Sequence, residues 1–180
     1  MRVLMDSAID IRIQRARPED APVVALLAQV TFRQAFGTVW EDPVVLKNYL
    51  RETFAVEKVR NSIGKPNNAY WLALADGLPV GYAKMKKHSP YAGLDDPSPA
   101  QLQKIYVLDE HIGNRIGEKL QDDLLAEARA LGKHTLWLAV WVGNDKAIRF
   151  YERHGFRKAA AYAYDFQNTH FDYDVMTRTP

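Results

Sequence analysis

The chain has 180 residues, of which 47% are hydrophobic, and this length fits one compact domain that can bury its own core. It contains no cysteine, which excludes disulfides, thiolate nucleophiles, zinc–thiolate sites and Fe–S clusters. The formal net charge is only +2 and basic residues are interspersed with acidic ones, so we expect no nucleic-acid partner.

The longest apolar run, residues 136–142, is far shorter than the ~20 residues needed to cross a bilayer, so we expect no membrane partner. Residues 1–10 lack the apolar segment and small-residue site of a signal peptide, and we therefore expect a cytoplasmic protein. We expect residues 1–10 to form a flexible N-terminal extension and residues 11–180 to form a single domain.

The first third of the chain predicts one strand followed by three helices. Alternation of apolar and polar residues predicts a short strand over residues 11–16, and helical spacing predicts helices over residues 18–36, 43–54 and 56–63. The apolar face predicted for the first helix consists of Val23, Leu26, Leu27, Val30 and Phe32.

A hairpin follows, because two apolar and aromatic runs, residues 70–75 and 80–85, flank the turn sequence Asp-Gly-Leu-Pro. Prolines and glycines then predict a loop over residues 88–100, which is long enough to suspect a function.

The second half predicts strands that alternate with helices. Strands are expected over residues 101–108 and 135–142, helices over residues 116–131 and 144–154, and two closing strands after residue 156. The run at 135–142 is almost entirely apolar, which is typical of a central strand covered on both faces.

The junction after the strand at 101–108 is a candidate phosphate site. Gly113 and Gly117 allow backbone N–H groups to point at a ligand where a helix begins, and His111, Arg115 and Lys119 add positive charge. An ordinary strand-to-helix turn explains the same pattern equally well. The segment lacks both the Gly-Lys-Ser/Thr of a Walker loop and the G-x-G-x-x-G of a dinucleotide site.

The second junction, residues 144–156, has the pattern N-x-x-A-x-x-F-Y-x-x-x-G-F. By residue type alone, Asn144 is a helix N-cap, and Phe150 and Tyr151 are more often core residues than catalytic ones. The complete pattern, however, is rarely met by chance.

These two junctions, in this order and separated by a helix and a buried strand, resemble the GNAT superfamily of acyl-CoA N-acyltransferases. The opening at residues 13–21 and the tryptophan-led hairpin at residues 71–85 are similar to the family as well, so the resemblance covers most of the chain. Within the family, the segment Leu136-Trp137-Leu138 looks most like the polyamine and small-amine acetyltransferase branch.

The resemblance implies the α/β class (an α+β mixed sheet) and the GNAT fold, with a six- to seven-stranded mixed sheet, a splayed central strand pair and about four flanking helices. Acetyl-CoA is the implied cosubstrate, lying between the strands at 101–108 and 135–142. No metal is expected, since the histidines show no paired spacing and have no cysteine partners.

The resemblance also implies particular site residues. Tyr151 would be catalytic, with its hydroxyl directed at the thioester sulfur. Backbone groups would pair with the pantetheine arm, the glycine turn would hold the pyrophosphate, and the N-cap asparagine would meet the pantetheine or order the cleft. The implied cofactor-binding residues are Ile105, Tyr106, Val107, Ile112, Gly113, Asn114, Arg115, Ile116, Gly117 and Asn144.

The chain departs from the family in its phosphate turn. The family pattern Q/R-x-x-G-x-G/A falls on Ile112, Arg115 and Gly117, and only Gly117 agrees with it. We expect the turn to accept Arg115 without a strained backbone, and the guanidinium either to contact phosphate or to lie in solvent.

The general base is the second departure. Gln101 and Gln103 stand where many relatives have glutamates, and an amide cannot act as a base. We place water held by these two glutamines first among the candidates. The remaining candidates are His88, Asp95, Asp96 and Glu110.

On the acceptor side, the resemblance points to Phe36, Glu41 and Tyr91, with Trp40 and Tyr173 nearby. We expect an N-acetyltransferase that moves acetyl from acetyl-CoA to the primary amine of a small molecule by direct attack in a ternary complex. The alternatives are a catalytically weak acyl-CoA sensor or scaffold, and a protein or peptide N-acetyltransferase. A homodimer is compatible with the sequence.

Overall fold

The computed structural model describes residues 9–40, 42–166 and 169–180, so most of the expected extension lies outside the described residues. The strands are β1 (Ile11–Arg15), β2 (Asn68–Ala75), β3 (Leu78–Lys86), β4 (Ala100–Val107), β5 (Leu136–Trp141), β6 (Arg157–Phe166) and β7 (Thr169–Arg178). The helices are α1 (Ala21–Phe36), α2 (Pro43–Thr53), α3 (Val56–Ile63), α4 (Ile116–Ala130) and α5 (Asp145–Arg153). No helix among these is long and apolar enough to cross a membrane.

All seven strands form one mixed sheet in the order β1-β2-β3-β4-β5-β7-β6. Only β4 and β5 pair in parallel, and every other neighbouring pair is antiparallel. The α/β class and the mixed seven-stranded sheet that the resemblance implies are therefore confirmed.

The parallel pair is joined only at its beginning. Ala100 pairs with Leu136 and Gln101 pairs with Trp137, but no register partner follows, although β4 continues to Val107 and β5 to Trp141. The two central strands therefore diverge, as predicted, and open a cleft in the middle of the sheet.

A β-bulge lies where the divergence begins. On β3, Lys84 pairs with Lys104 and the next residue, Met85, pairs with Leu102, so Gln103 is an extra residue in β4. A bulge bends its strand and increases the local twist. Gln103 therefore turns β4 away from β5 just past the last pair that joins them.

The hairpin between β2 and β3 is confirmed, with a turn shorter than the predicted one. Asp76 and Gly77 both have positive φ, at 49° and 82°, and β3 begins at Leu78. This is the two-residue type I′ geometry that Asp-Gly favours, because its twist matches that of the flanking strands.

Two hydrophobic clusters cover the two faces of the sheet. Side chains of α4 pack with Trp71 and Ala73 on one face, and side chains of α1, α2 and α3 pack with Tyr70 and Leu72 on the other. Since neighbouring residues of β2 alternate between the clusters, the sheet lies between α4 and the first three helices.

The apolar face predicted for α1 is partly wrong. Leu27 is buried as expected, but Leu26 is 64% exposed and Val30 is also exposed. The buried residues are mostly small and recur at helical spacing: Ala21, Val24, Ala25, Leu27, Ala28 and Thr31. A stripe of alanines lets α1 approach the sheet closely, and this packing decides which side of the helix faces the core.

Gln121 on α4 provides a test of the core. It is 1% exposed, and neither atom of its amide has a hydrogen-bond partner among the described residues. We expect Gln121→Met to raise the free energy of unfolding in urea by about 1 kcal/mol, because a buried amide without partners carries an uncompensated desolvation penalty. Gln121→Glu, the matched control, should destabilise the fold by burying a charge. A loss of more than about 1 kcal/mol in the methionine variant would contradict this account and indicate that the amide binds buried water.

Candidate active site

The turn between β4 and α4 presents free backbone donors at one end of the cleft. The first hydrogen bond of the helix runs from the Lys119 N–H to the Arg115 carbonyl at 3.1 Å. The N–H groups of residues 114–118 consequently have no acceptor among the described residues. Several free N–H groups at the start of a 15-residue helix are suited to bind a pyrophosphate.

Two residues give this turn its shape. Gly113 has φ of 96°, and Arg115, the residue before α4, has φ of 58° and ψ of 18°, which is the left-handed conformation. The expectation that Arg115 would avoid a strained backbone is therefore wrong. The turn needs positive φ at the position where the family carries glycine, and Arg115 adopts it in spite of its side chain.

The side chain of Arg115 is engaged with an acid of the same turn. Its Nε and Nη2 donate to the two carboxylate oxygens of Glu118 at 2.8 and 2.9 Å, while the side chain stays 76% exposed. This bidentate hydrogen bond is the main cause that lowers the pKa of Glu118. The pair neutralises a carboxylate that would otherwise repel a phosphate at the start of α4.

The exposed edge of β4 faces the cleft with alternate residues. The Leu108 N–H donates to the Val80 carbonyl on β3 at 2.9 Å, and in an antiparallel pair only every second residue is turned towards the partner strand. Ile105 and Val107 therefore direct their backbone groups away from β3, into the cleft, and Tyr106 directs its backbone groups towards β3. This edge is open to an added strand-like ligand.

Helix α5 starts at the far side of the cleft. The Asn144 Oδ1 accepts a hydrogen bond from the Ala147 N–H at 3.1 Å, so Asn144 is the N-cap, as its residue type predicts. The ring of Phe150 is 3.5 Å from where a Cβ on Gly117 would lie. Glycine at that position lets the first turn of α4 pack against α5.

Tyr151 on α5 is 8% exposed, and its ring packs between Phe150 and Phe156 with centroid distances of 5.5 and 5.6 Å. Burial raises the pKa of Tyr151 well above its ordinary value. Its hydroxyl therefore stays protonated at neutral pH and is available as a hydrogen-bond donor.

Tyr151 has two tyrosine neighbours in the cleft. Burial raises the pKa of Tyr106, and the proximity of Tyr151 and Tyr173 raises it further. Burial and nearby tyrosines raise the pKa of Tyr173 to about 12. Tyr106 on β4 therefore lies near both Tyr151 on α5 and Tyr173 on β7.

Gln101 and Gln103 have different surroundings. Gln101 Oε1 accepts from the Ser89 hydroxyl at 2.9 Å, and the Ser89 carbonyl accepts from Trp137 Nε1 at 2.8 Å, which ties the paired end of the cleft together. Gln103 Oε1 is buried and has no partner among the described residues.

The other candidate bases lie outside the open cleft. His88, Asp95 and Asp96 belong to the segment before β4, at the end where β4 and β5 are still paired. The Ser98 N–H donates to Asp96 at 2.8 Å and is the main cause that lowers the pKa of this carboxyl group. Glu110 is exposed beyond the other end of β4.

Of the predicted acceptor residues, Phe36 and Tyr91 stand at the two ends of a row of aromatic rings. Neighbouring ring centroids along this aromatic wall are 5.2 to 6.5 Å apart. In order, the wall consists of Phe36, Trp141, Phe171, Tyr173, Tyr162 and Tyr91. Glu41 lies outside the described residues.

Sequence reasoning missed Trp141, Phe171 and Tyr162. The register explains why they meet: Trp141 on β5 pairs with Tyr173 on β7, which pairs with Tyr162 on β6. The available signal was the recurrence of aromatic residues in the last strands, but their pairing partners could not be read from the sequence.

A splayed parallel strand pair, a glycine-containing turn with free N–H groups and a buried tyrosine are the features expected of an acyl-coenzyme A-dependent acyltransferase. The model of the acetyltransferase (GNAT) family matches residues 32–156. The chain belongs to this family and is an acyl-CoA-dependent N-acetyltransferase with acetyl-CoA as its cosubstrate. Among the described residues, no group of three or more histidine, aspartate or glutamate side chains is placed to hold a metal ion.

Individual proteins are similar to this chain in sequence or in fold. The chain is 23% identical to an uncharacterized N-acetyltransferase of Lactobacillus delbrueckii subsp. lactis, covering 86% of this chain and 88% of the relative. Its fold is similar to that of the PaiA N-acetyltransferase of Thermoplasma acidophilum in complex with coenzyme A, with a TM-score of 0.75, 20% identity and coverage of 95% and 99%. The ribosomal-protein-S18-alanine N-acetyltransferase of Escherichia coli also has a similar fold, with a TM-score of 0.65, 19% identity and coverage of 94% of both chains.

The left-handed conformation of Arg115 predicts that glycine at this position is more stabilising than alanine. Arg115→Gly and Arg115→Ala both remove the ion pair with Glu118, but only glycine adopts positive φ without strain. We expect the glycine variant to be more stable than the alanine variant by about 1 kcal/mol in urea unfolding. At Asp122, an exposed position inside α4, the glycine variant should instead be less stable than the alanine variant, because glycine weakens a helix. An alanine variant at residue 115 that equals the glycine variant would contradict the left-handed assignment.

Proposed function

We propose that this N-acetyltransferase acetylates the primary amine of a small molecule, by direct attack of the amine on acetyl-CoA in a ternary complex. The observation that carries the proposal is the juxtaposition of the free β4 edge, Tyr151 and the aromatic wall around one cleft. In the proposed arrangement, acetyl-CoA enters the cleft along the β4 edge and the acceptor enters it from the aromatic wall. The chain has no cysteine to carry the acetyl group, so direct transfer is the simplest route.

On the cosubstrate side, the proposed contacts use backbone groups. Ile105 and Val107 pair with the pantetheine arm as with an added strand, and the N–H groups of residues 113–117, most of them free, hold the pyrophosphate. The Val107 N–H also donates to the carbonyl oxygen as negative charge develops on it. Asn144 caps the N-terminus of α5 and so fixes the start of this helix beside the cleft.

In the proposed reaction, the amine nitrogen forms a bond to the acetyl carbon, and the carbon–sulfur bond breaks as the tetrahedral intermediate collapses. The departing thiolate has a pKa of roughly 8.5 in water and needs a proton or a strong hydrogen bond. Tyr151 supplies this, because its raised pKa keeps the hydroxyl protonated until the sulfur leaves.

The amine must lose a proton before or during attack, since an alkyl ammonium has a pKa near ~10.4 and only the neutral form is nucleophilic. We propose that water bound at Gln103 receives this proton. The buried Oε1 of Gln103 has no partner among the described residues, and the bulge places it where the cleft opens. Gln101, whose Oε1 is already engaged by Ser89, helps to order the paired end of the cleft.

The aromatic wall is the proposed acceptor surface, with Phe36 at one end and Tyr91 at the other. Aromatic faces attract ammonium groups, so a cationic amine would be drawn to the cleft before it loses its proton. The loop residue Tyr91 packs on Trp137 at 5.3 Å and helps to close the site.

A peptide N-terminus is the second candidate acceptor. The supporting observation is the similar fold of an enzyme whose name states that it acts on an alanine of a ribosomal protein. A sensor or scaffold without turnover is the third candidate, supported by the absence of a carboxylate base at Gln101 and Gln103.

The acceptor class can be decided by following release of free coenzyme A from acetyl-CoA with polyamines, aminoglycosides, amino acids and short peptides as acceptors. We expect a small primary amine to give the highest kcat/KM. A peptide preferred by tenfold or more would replace the small-molecule proposal. Acetyl-CoA binding with no release above the amine-free rate for any acceptor would support the sensor.

Removal of the Tyr151 hydroxyl tests the proposed acid. We expect Tyr151→Phe to lower kcat by roughly 10²-fold or more while leaving the Kd for acetyl-CoA nearly unchanged, because the ring packing is retained and only a proton donor is lost. Tyr164→Phe, which removes an exposed hydroxyl, should keep the parent kcat. Turnover by Tyr151→Phe at the parent rate between pH 7 and pH 9 would show that another group serves the thiolate.

A further inference from the structure

A second cavity lies between the sheet and the first three helices. Its volume is about 180 Å³, which corresponds to roughly six water molecules. We call it the lysine cavity, because three lysines line it together with polar and apolar neighbours. The lining residues that bear on its chemistry are Lys58, Ser62, Tyr70, Tyr82, Lys84 and Lys104.

Lys84 and Lys104 stand directly opposite each other on β3 and β4. Lys84 is only 9% exposed, and its Nζ is 5.4 Å from the ring centroid of Tyr70. The Nζ of Lys104 is 5.2 Å from the ring centroid of Phe54. Neither ammonium group forms a salt bridge or hydrogen bond with a described residue.

The charged groups around the cavity are all positive. Helix α3 contributes Lys58 and the two strands contribute Lys84 and Lys104, and no acidic side chain is among the lining residues. Burial is the main cause that lowers the pKa of Lys84 to about 8, and Lys104, Lys86 and Lys65 lower it further. Burial also lowers the pKa of Lys104 to about 8. Two buried ammonium groups that face each other repel when no negative charge is nearby. An anion bound in the cavity would therefore stabilise both charges.

Tyr82 adds an independent observation. Its side chain is almost completely buried, it lines the cavity, and its hydroxyl has no hydrogen-bond partner among the described residues. Buried hydroxyl groups are nearly always hydrogen-bonded in folded proteins. The Tyr82 hydroxyl and the two ammonium groups line the same cavity, and all three are donors that match the acceptor oxygens of a carboxylate or a phosphate.

We propose that the lysine cavity binds a small anionic group, a carboxylate or a phosphate, between Lys84, Lys104 and the Tyr82 hydroxyl. In this structure the anion would pair both ammonium groups and give the buried hydroxyl a partner. The surrounding phenylalanine and tyrosine rings lower the local polarity and so strengthen the attraction.

The position of the cavity links the anion to the acceptor. Lys104 and Tyr106 lie on the same face of β4, two residues apart, which corresponds to about 7 Å along a strand. The Tyr106 ring stacks on Tyr82 at 5.9 Å, and Tyr106 also neighbours Tyr151. Given the proposed function, an acceptor amine held at the cleft could extend an acidic group into the cavity, so the substrate would be an amine that also carries a carboxylate or phosphate.

The binding test uses inorganic phosphate and the whole protein without acetyl-CoA. The pKa values of Lys84 and Lys104 are followed by NMR as phosphate replaces chloride at constant ionic strength. We expect both pKa values to rise by at least one unit, because a bound anion favours the charged lysines. Unchanged pKa values at saturating phosphate would overturn the proposal without the need for any variant.

Lysine-to-methionine variants test whether phosphate binds in the lysine cavity. Lys84→Met and Lys104→Met keep the aliphatic length of the side chain, and each should weaken phosphate binding about tenfold or more. Lys47→Met removes an exposed lysine of α2 and should leave phosphate affinity unchanged. Equal losses in all three variants would indicate a diffuse charge effect and contradict a built site.

Matched acceptors identify the source of the anion. Phosphoethanolamine is compared with ethanolamine, and β-alanine with β-alaninamide. If the acceptor carries the anion, the acidic member of each pair should have a kcat/KM about tenfold higher or more, and Lys84→Met should remove this preference. Phosphate binding without such a preference would overturn the link to the acceptor and identify a free anion as the ligand. Failure of every acceptor would count against the proposed function, while the phosphate measurement would still decide the site.

Discussion

The separation of β4 from β5 is the constraint on which the rest of the site depends. The two strands are held together by two residue pairs at their start, and the Ser89, Gln101 and Trp137 contacts reinforce that end. The bulge at Gln103 then bends β4 away. Breaking a parallel pair in the middle of a sheet leaves N–H and C=O groups without partners, which is unfavourable unless a ligand binds them. The unpaired edge is therefore the weak point of the sheet and the proposed binding site for acetyl-CoA.

Each neighbouring element is placed by this opening. Helix α4 follows β4, so its free N–H groups lie at one end of the cleft, and α5, which carries Tyr151, follows β5. The strained backbone of Arg115 keeps the phosphate turn in shape, and its ion pair with Glu118 removes a competing negative charge. The proposed chemistry thus relies mainly on backbone groups and on one buried hydroxyl, rather than on a cluster of charged side chains.

Much of this could be predicted from the sequence, because the informative signals were local. The Asp-Gly hairpin, the apolar central strand and the N-cap at Asn144 all follow from turn chemistry and periodicity. Two predictions failed where tertiary packing decided the outcome. Leu26 was placed in the core, but the alanine stripe of α1 faces the sheet, and Arg115 was expected in an ordinary conformation, but the turn requires positive φ. The lysine cavity could not have been predicted, since it depends on the strand register that places Lys84 opposite Lys104.

The central claim is that acetyl-CoA completes the sheet by pairing with the free edge of β4. Amide hydrogen exchange measured residue by residue, with and without saturating acetyl-CoA, tests it most directly. The account predicts that the Ile105 and Val107 amides, which face the cleft, exchange at least about tenfold more slowly when the ligand is bound, whereas the Tyr106 amide, which faces β3, changes little. Unchanged exchange at Ile105 and Val107 in the presence of bound acetyl-CoA would contradict the claim.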